Sequence, residues 1–254
     1  MHPMKFVDDL VIADQTPTRR EATLTREPPA ATPPAPGSDL QAAVNVGSIL
    51  SFVDGLDGRE KDDVLFSTQL AQRGASGSFD RFSETRQWYG RYTEILENVG
   101  WVPEQLAFSE YREDQGELKM DAAAIKIIAA IASANQLAIL QQTLTALEGL
   151  ADENKQIELF DFHSAAQLSG NFQIGAVQKS PNGVLSVALG AFYFKSTDNQ
   201  RKFLFFSWGD QSVNFWTGAQ KMSLNRGYYD QVRDAVQAKL TGSFSDFVAG
   251  ISLG

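Results

Sequence analysis

Asp161, His163 and Ser164 stand close together in DFHS, and an aspartate, a histidine and a serine are the side chains of a nucleophilic triad. Residues 157–163, IELFDFH, read as a strand, so alternation puts Asp161 and His163 on one face with Ser164 adjacent. Neighbours in one strand do not give the geometry in which a histidine takes a proton from a serine. No G-x-S-x-G turn is present to project the hydroxyl. His163 therefore reads as a hydrogen-bonded histidine at a strand end. The other histidine, His2, is poorly placed to share a metal with it, and a chain without cysteine has no thiolate zinc site, disulfide or thiol nucleophile. Neither a Walker A loop nor a G-x-G-x-x-G follows a strand. No metal and no cofactor is expected.

Two well-placed carboxylates suffice for a glycosidase or a magnesium-dependent enzyme. The candidates are Glu60 with Asp62 and Asp63, then Glu110, Glu113, Asp114 and Glu117, then Glu148 with Asp152 and Glu153. The first group opens a predicted helix, where acids favour the helix dipole; the second lies in a turn; the third follows a helix end. All three read as solvated surface.

Aromatic side chains are the remaining signal. Trp88, Tyr92, Trp208, Trp216 and Tyr228 are the candidate ligand-binding residues, because large rings in a groove stack on sugars or pack against lipid headgroups. Rings at these spacings more often serve as core and rim.

The elements that would position these groups follow from composition and period. With 43% hydrophobic and 21% charged residues the chain has material for a substantial core. Seven of its nine prolines (Pro3, Pro17, Pro28, Pro29, Pro33, Pro34 and Pro36) precede residue 37. Residues 1–38 are thus read as a disordered Pro/Thr/Ala-rich leader, dispensable for folding, and residues 39–254 as one α+β domain. An apolar island at residues 6–13 within that leader reads as a docking peptide or, the commoner case, as a stray hydrophobic turn.

Apolar spacing from Leu40 to Gly100 predicts three helices. Residues 101–114 read as extended. Residues 121–140, DAAAIKIIAAIASANQLAIL, predict a central helix, apolar nearly all round and buried between layers. Too short and too interrupted to span a bilayer, it leaves membrane contact open but not a spanning segment.

The period then changes to two. Residues 171–179 and 184–195 flank SPNG and form a hairpin; residues 202–208 and 212–220 flank Gly209 and Asp210 and form a second. Asn225 caps a closing helix with Tyr229, Val232, Val236 and Leu240 on one face. The expected architecture is N-terminal helices and a central apolar helix packed on a C-terminal antiparallel β-meander closed by a helix.

A net charge of −9 and a pI near 4.8, with no run of Lys and Arg, disfavour nucleic acid as a partner. The N-terminus holds no long apolar run, so the expected location is cytoplasmic, or exported without a conventional signal peptide. The leading functional reading is a non-enzymatic binding or interaction protein, of the kind of an exported effector or toxin-like protein with a leader read by a secretion or packaging system, taking a protein, carbohydrate or lipid-headgroup ligand. A hydrolase using carboxylates or His163, and a structural subunit of a larger assembly, are the alternatives.

Overall fold

The computed structural model describes residues 3–13, 40–104, 106–112, 117–150, 155–198, 202–209 and 212–253. The chain opens with α1 (Pro3–Asp9) and resumes as a tight hairpin, β1 (Ala42–Asn45) and β2 (Ser48–Phe52). Two long helices follow, α2 (Gly58–Ser76) and α3 (Thr85–Asn98), then short strands β3 (Trp101–Pro103), β4 (Ser109–Tyr111) and β5 (Glu117–Lys119). Next come α4 (Met120–Ala129), α5 (Ala134–Glu148), α6 (Lys155–Ser164) and β6 (Ala165–Ala166). The long strands are β7 (Ser169–Lys179), β8 (Leu185–Ser196) and β10 (Val213–Leu224), with the short β9 (Ser207–Gly209) before the last. The chain closes with α7 (Arg226–Tyr229), α8 (Arg233–Leu240), a 3-10 segment (Thr241–Asp246) and β11 (Val248–Ile251).

The fold is α+β, with helices packed on a mostly antiparallel sheet of strand order β11-β1-β2-β7-β8-β10-β3. Within that order β2 and β7 run parallel, and the remaining pairs are antiparallel. Alternation sorts side chains onto two buried faces. Leu50, Val177, Val187 and Leu189 join α2, α3 and α8 on one side, while Ile49, Ile174, Phe172 and Phe192 join α4, α5 and α6 on the other. The strands are apolar at odd and even positions because helices cover both faces.

SPNG makes the β7–β8 turn, with Ser180 N donating to Val184 O and Gly183 at φ +79°. Asn225 caps α7 through its side chain, which accepts from Tyr228 N at 3.1 Å, and Tyr229, Val232, Val236 and Leu240 are fully buried.

Four expectations change. Residues 42–52 are a hairpin rather than part of a helix: both its strands are buried on both faces, which erases the two-residue alternation that marks a half-exposed strand. Residues 157–163 lie in α6, not a strand, with Ile157, Phe160 and Ser164 three and four apart and all buried. Residues 202–205 form a turn that plugs Phe203 and Leu204 into the core, and β9 pairs with β5 instead of forming a hairpin with β10. The central apolar helix is two helices. Ser133 and Gln136 form a capping box, Gln136 N donating to Ser133 Oγ at 3.2 Å and Ser133 N to Gln136 Oε1 at 3.0 Å, which restarts the chain as α5. The pair lies in an outer layer: Ile128 and Leu140 are buried against the sheet, while Ala122, Ala129, Ala134 and Ala138 are exposed.

Residues 3–13, expected within the leader, pack on the domain; residues 14–39 lie outside the described residues. Val7 is 0% and Leu10 5% exposed, Ala13 N donates to Arg73 O while Arg73 Nε donates to Ala13 O, and Lys239 donates to Asp8 O. Each such buried side chain contributes up to roughly 1.5–3 kcal/mol. Deleting residues 1–38 is therefore expected to lower the thermal midpoint by about 5 °C or more, at about 2–4 °C per kcal/mol for a chain of this size. A midpoint unchanged in differential scanning calorimetry would show that the island contributes no packing.

Candidate functional site

The rows of β8 and β10 that face α2 and α3 are longer than the helices that cover them. From Leu185 through Val187 and Leu189 to Ala191 the side chains are sealed, but Tyr193 is half-buried and Lys195 exposed. Tyr193 pairs across the ladder with Trp216, and the two rings stack at 4.5 Å and 7°. They form the floor of an open groove of about 1190 Å³ between α3 and the segment that joins β3 to β4.

That segment makes the second wall because β10 allows it to. Strands β3 and β4 both pair with β10, and residues 106–108 ahead of β4 bulge over Gly218, where an added Cβ would stand 2.9 Å from Ala107 O. Phe108, carried on the bulge, meets Tyr193 edge-on at 5.4 Å and Tyr89 of α3 at 4.9 Å. Behind Tyr89 is a polar brace. Its hydroxyl donates to Asn171 Oδ1 at 2.8 Å and accepts from Gln173 Nε2 at 2.7 Å, while Asn171 exchanges hydrogen bonds with Arg81. Burial raises the phenol of Tyr89 far above its ordinary range, and burial lowers Arg81 to about 10, so neither is poised to transfer a proton at neutral pH. The Arg81 guanidinium stacks 4.7 Å over Trp88, which completes the brace. Charges on the groove are mixed: Arg86 and Lys195 line it together with Glu94, Glu97, Glu104 and Glu110, and Glu94 is paired with Arg91 at 2.8 Å.

Of the five candidate residues, Trp216 lines the groove. Trp88 and Tyr92 are sealed in the core beneath α3, Trp208 is sealed on the opposite face of the sheet, and Tyr228 is half-buried in α7 away from it. Tyr193 and Phe108 were missed; the signal for Tyr193 was its place opposite Trp216 in the paired strands.

The groups suited to catalysis are engaged elsewhere. In a helix, Asp161 and His163 point about 200° apart rather than sharing a face. Asp161 Oδ2 accepts from Lys202 N, Ser164 Oγ donates to Phe160 O at 2.5 Å, and His163 Nε2 meets Asp246 O at 3.2 Å. Glu60 and Asp63 are not solvated surface: they are 1% and 0% exposed and paired with Lys179, Arg226 and Arg233. Glu110, Glu117 and Glu148 are exposed, while Glu113, Asp114, Asp152 and Glu153 lie outside the described residues. Among the described residues no group of three His, Asp or Glu side chains could hold a metal ion, and no helix is long and apolar enough to cross a membrane.

Burial lowers the His163 imidazole from its ordinary 6.5 to about 3, against the pull of the Asp246 carbonyl and with a further push from Arg81 and Arg73. The unfolded chain takes up a proton near 6.5 that the folded chain refuses until about 3. Stability is thus full above 6.5 and falls as pH drops through that window, by up to about 1.4 kcal/mol per pH unit. His163→Gln, which does not titrate there, is expected to show a shallower loss of thermal midpoint between pH 6.5 and 4; parallel curves would contradict this.

No protein-family model matches the chain, and no curated protein sequence matches it. Solved structures to which it is similar include a delta-endotoxin, at 15% identity and a TM-score of 0.41 over 80% of this chain and 90% of that one. The Evf virulence factor is similar at 9% and 0.36, over 80% and 85%. The activated Cyt2Ba monomer from Bacillus thuringiensis subsp. israelensis is similar at 14% and 0.39, over 70% and 95%. At such scores, function has to be argued from the chain's own residues.

Proposed function

We propose that this chain is a binding protein that performs no chemistry of its own and takes its ligand in the groove floored by Tyr193 and Trp216. The observation that carries this reading is the distribution of tryptophan. Trp88, Trp101 and Trp208 are at most 1% exposed, whereas Trp216 lies flat against Tyr193 at the bottom of an open groove. A large ring left half-buried in a concave site gives a ligand, on the side away from Tyr193, an apolar surface to pack against. The groove is braced from behind by Tyr89, Asn171 and Arg81, so its shape exists before any ligand arrives.

A thermal-shift screen of soluble ring-containing fragments tests the reading, with Trp216→Ala as comparison. Fragments are expected to raise the midpoint of the wild type and to lose that effect in the variant. Fragments that stabilise both equally would place binding elsewhere.

An effector or toxin-like action at a membrane is a second reading, favoured by one observation. Residues 127–147, which hold the last three residues of α4, the turn after it and all of α5 but Glu148, contain no charged side chain, and α4 and α5 lie over the sheet with Ala129, Ala130, Ala134 and Ala138 exposed. Such a layer separates from the sheet into lipid at a lower cost than a charged one. Dye release from phosphatidylcholine vesicles by the wild type, absent in Ala130→Glu, would support it; no release by either would remove it.

A further inference from the structure

Gly90 is the anomaly of the groove. It sits in the middle of α3, exposed on the groove side, and a Cβ added there would meet nothing within 4 Å. Glycine weakens a helix interior relative to alanine, and no neighbouring protein atom requires it here. The missing side chain therefore leaves room along the helix for something that is not protein. One turn away on the same helix are Arg86, Thr93 and Glu94, and across the groove are Lys195 and Glu104.

We infer that the occupant is an oligosaccharide, one ring lying on Trp216 and the next passing close to the α3 backbone at Gly90; this rests on the groove-binding reading above. A sugar ring has an apolar face for stacking and a rim of hydroxyls that both donate and accept. The groove supplies the counterparts of both kinds: Arg86 and Lys195 donate, Glu94 and Glu104 accept, and Thr93 does either. With Glu94, Glu97, Glu104 and Glu110 against Arg86 and Lys195 the lining is net negative, which opposes a phosphate, while an uncharged ligand that both donates and accepts engages groups of both signs. At about 1190 Å³ the groove exceeds the roughly 300–1,000 Å³ of a site for one small molecule, which fits several linked rings.

The test is a glycan array probed with the labelled full chain, followed by calorimetric titration of the tri- to hexasaccharides that bind. Arms with phosphocholine and with phosphatidylcholine vesicles run beside it. At least one oligosaccharide class is expected to bind the wild type. Trp216→Ala should weaken it by about thirtyfold, the loss of one aromatic anchor, and Trp216→Phe should restore most of that. Gly90→Ala should raise the thermal midpoint by about 2 °C, because a better helix former replaces glycine. It should also weaken the saccharide by about tenfold or more, because its methyl occupies the ring's path. Loss of affinity in a variant that is more stable cannot come from misfolding. No saccharide bound, or equal affinity in Gly90→Ala, overturns the inference. If vesicles or phosphocholine bind in a Trp216-dependent way while saccharides do not, the saccharide assignment fails and the groove stands. A saccharide bound equally by Trp216→Ala would defeat both.

Discussion

Arg233→Met is expected to cost the protein about 3–5 kcal/mol, the cost of leaving a buried carboxylate without its counter-charge. Asp63 in α2 is 0% exposed, and both its oxygens accept from Arg233 of α8, at 2.6 and 2.7 Å. The hydrogen bond to Asp63 is the largest cause raising the Arg233 guanidinium above its ordinary value, and Asp230 adds to it from the surface. Since a domain is held together by roughly 5–15 kcal/mol, this one substitution removes a large fraction of the margin. Urea titration should show a lower midpoint at unchanged slope. The double variant Asp63→Leu with Arg233→Met should recover part of the loss, because it removes the stranded charge; a single variant within 1 kcal/mol of wild type, as expected of a surface pair, would contradict the account.

Ile128→Asp should prevent folding altogether. Ile128 is 0% exposed on the inner side of α4, close enough to β8 that a Cβ on Gly190 would stand 2.9 Å from it. A carboxylate there has apolar sheet on one side and no counter-charge, at a cost of several kcal/mol. Ala130→Asp, two residues on but exposed, should change stability by no more than about 0.5 kcal/mol. Circular dichroism melts of the pair separate the two faces of the hairpin. A cooperative, undiminished melt for Ile128→Asp would mean that this face of α4 does not pack on the sheet.

The parts of the fold legible in the sequence are those encoded by local chemistry: the SPNG turn with the long apolar runs on either side of it, and the Asn225 cap. Ser133-x-x-Gln136 was equally local and equally readable, and it marks where the long apolar stretch turns back on itself. Other elements depend on partners far away in the chain. Strand β11 completes the sheet against β1, some two hundred residues earlier, and residues 42–52 lose their alternation because α2 and α5 cover both faces. Asp63 looked like a helix-start acid until Arg233, 170 positions later, closed on it.

The site divides in the same way. Trp216 is a visible ring in a predicted strand, but its exposure depends on where α3 stops covering the sheet. Trp88 and Trp208, identical in kind, are sealed by the packing of the two helical layers. Tyr193 became a site residue through register with Trp216, and Gly90 through an open space that only the assembled groove defines.

The most direct measurement is a ¹⁹F NMR titration of the protein labelled with 5-fluorotryptophan, using the oligosaccharides and fragments that bind. The chain has four tryptophans, so four resonances are expected, with that of Trp216 assigned by its loss in Trp216→Phe. The account predicts that ligand shifts the Trp216 resonance and leaves those of Trp88, Trp101 and Trp208 in place. Shifts at any of those three, with Trp216 unmoved, would contradict it.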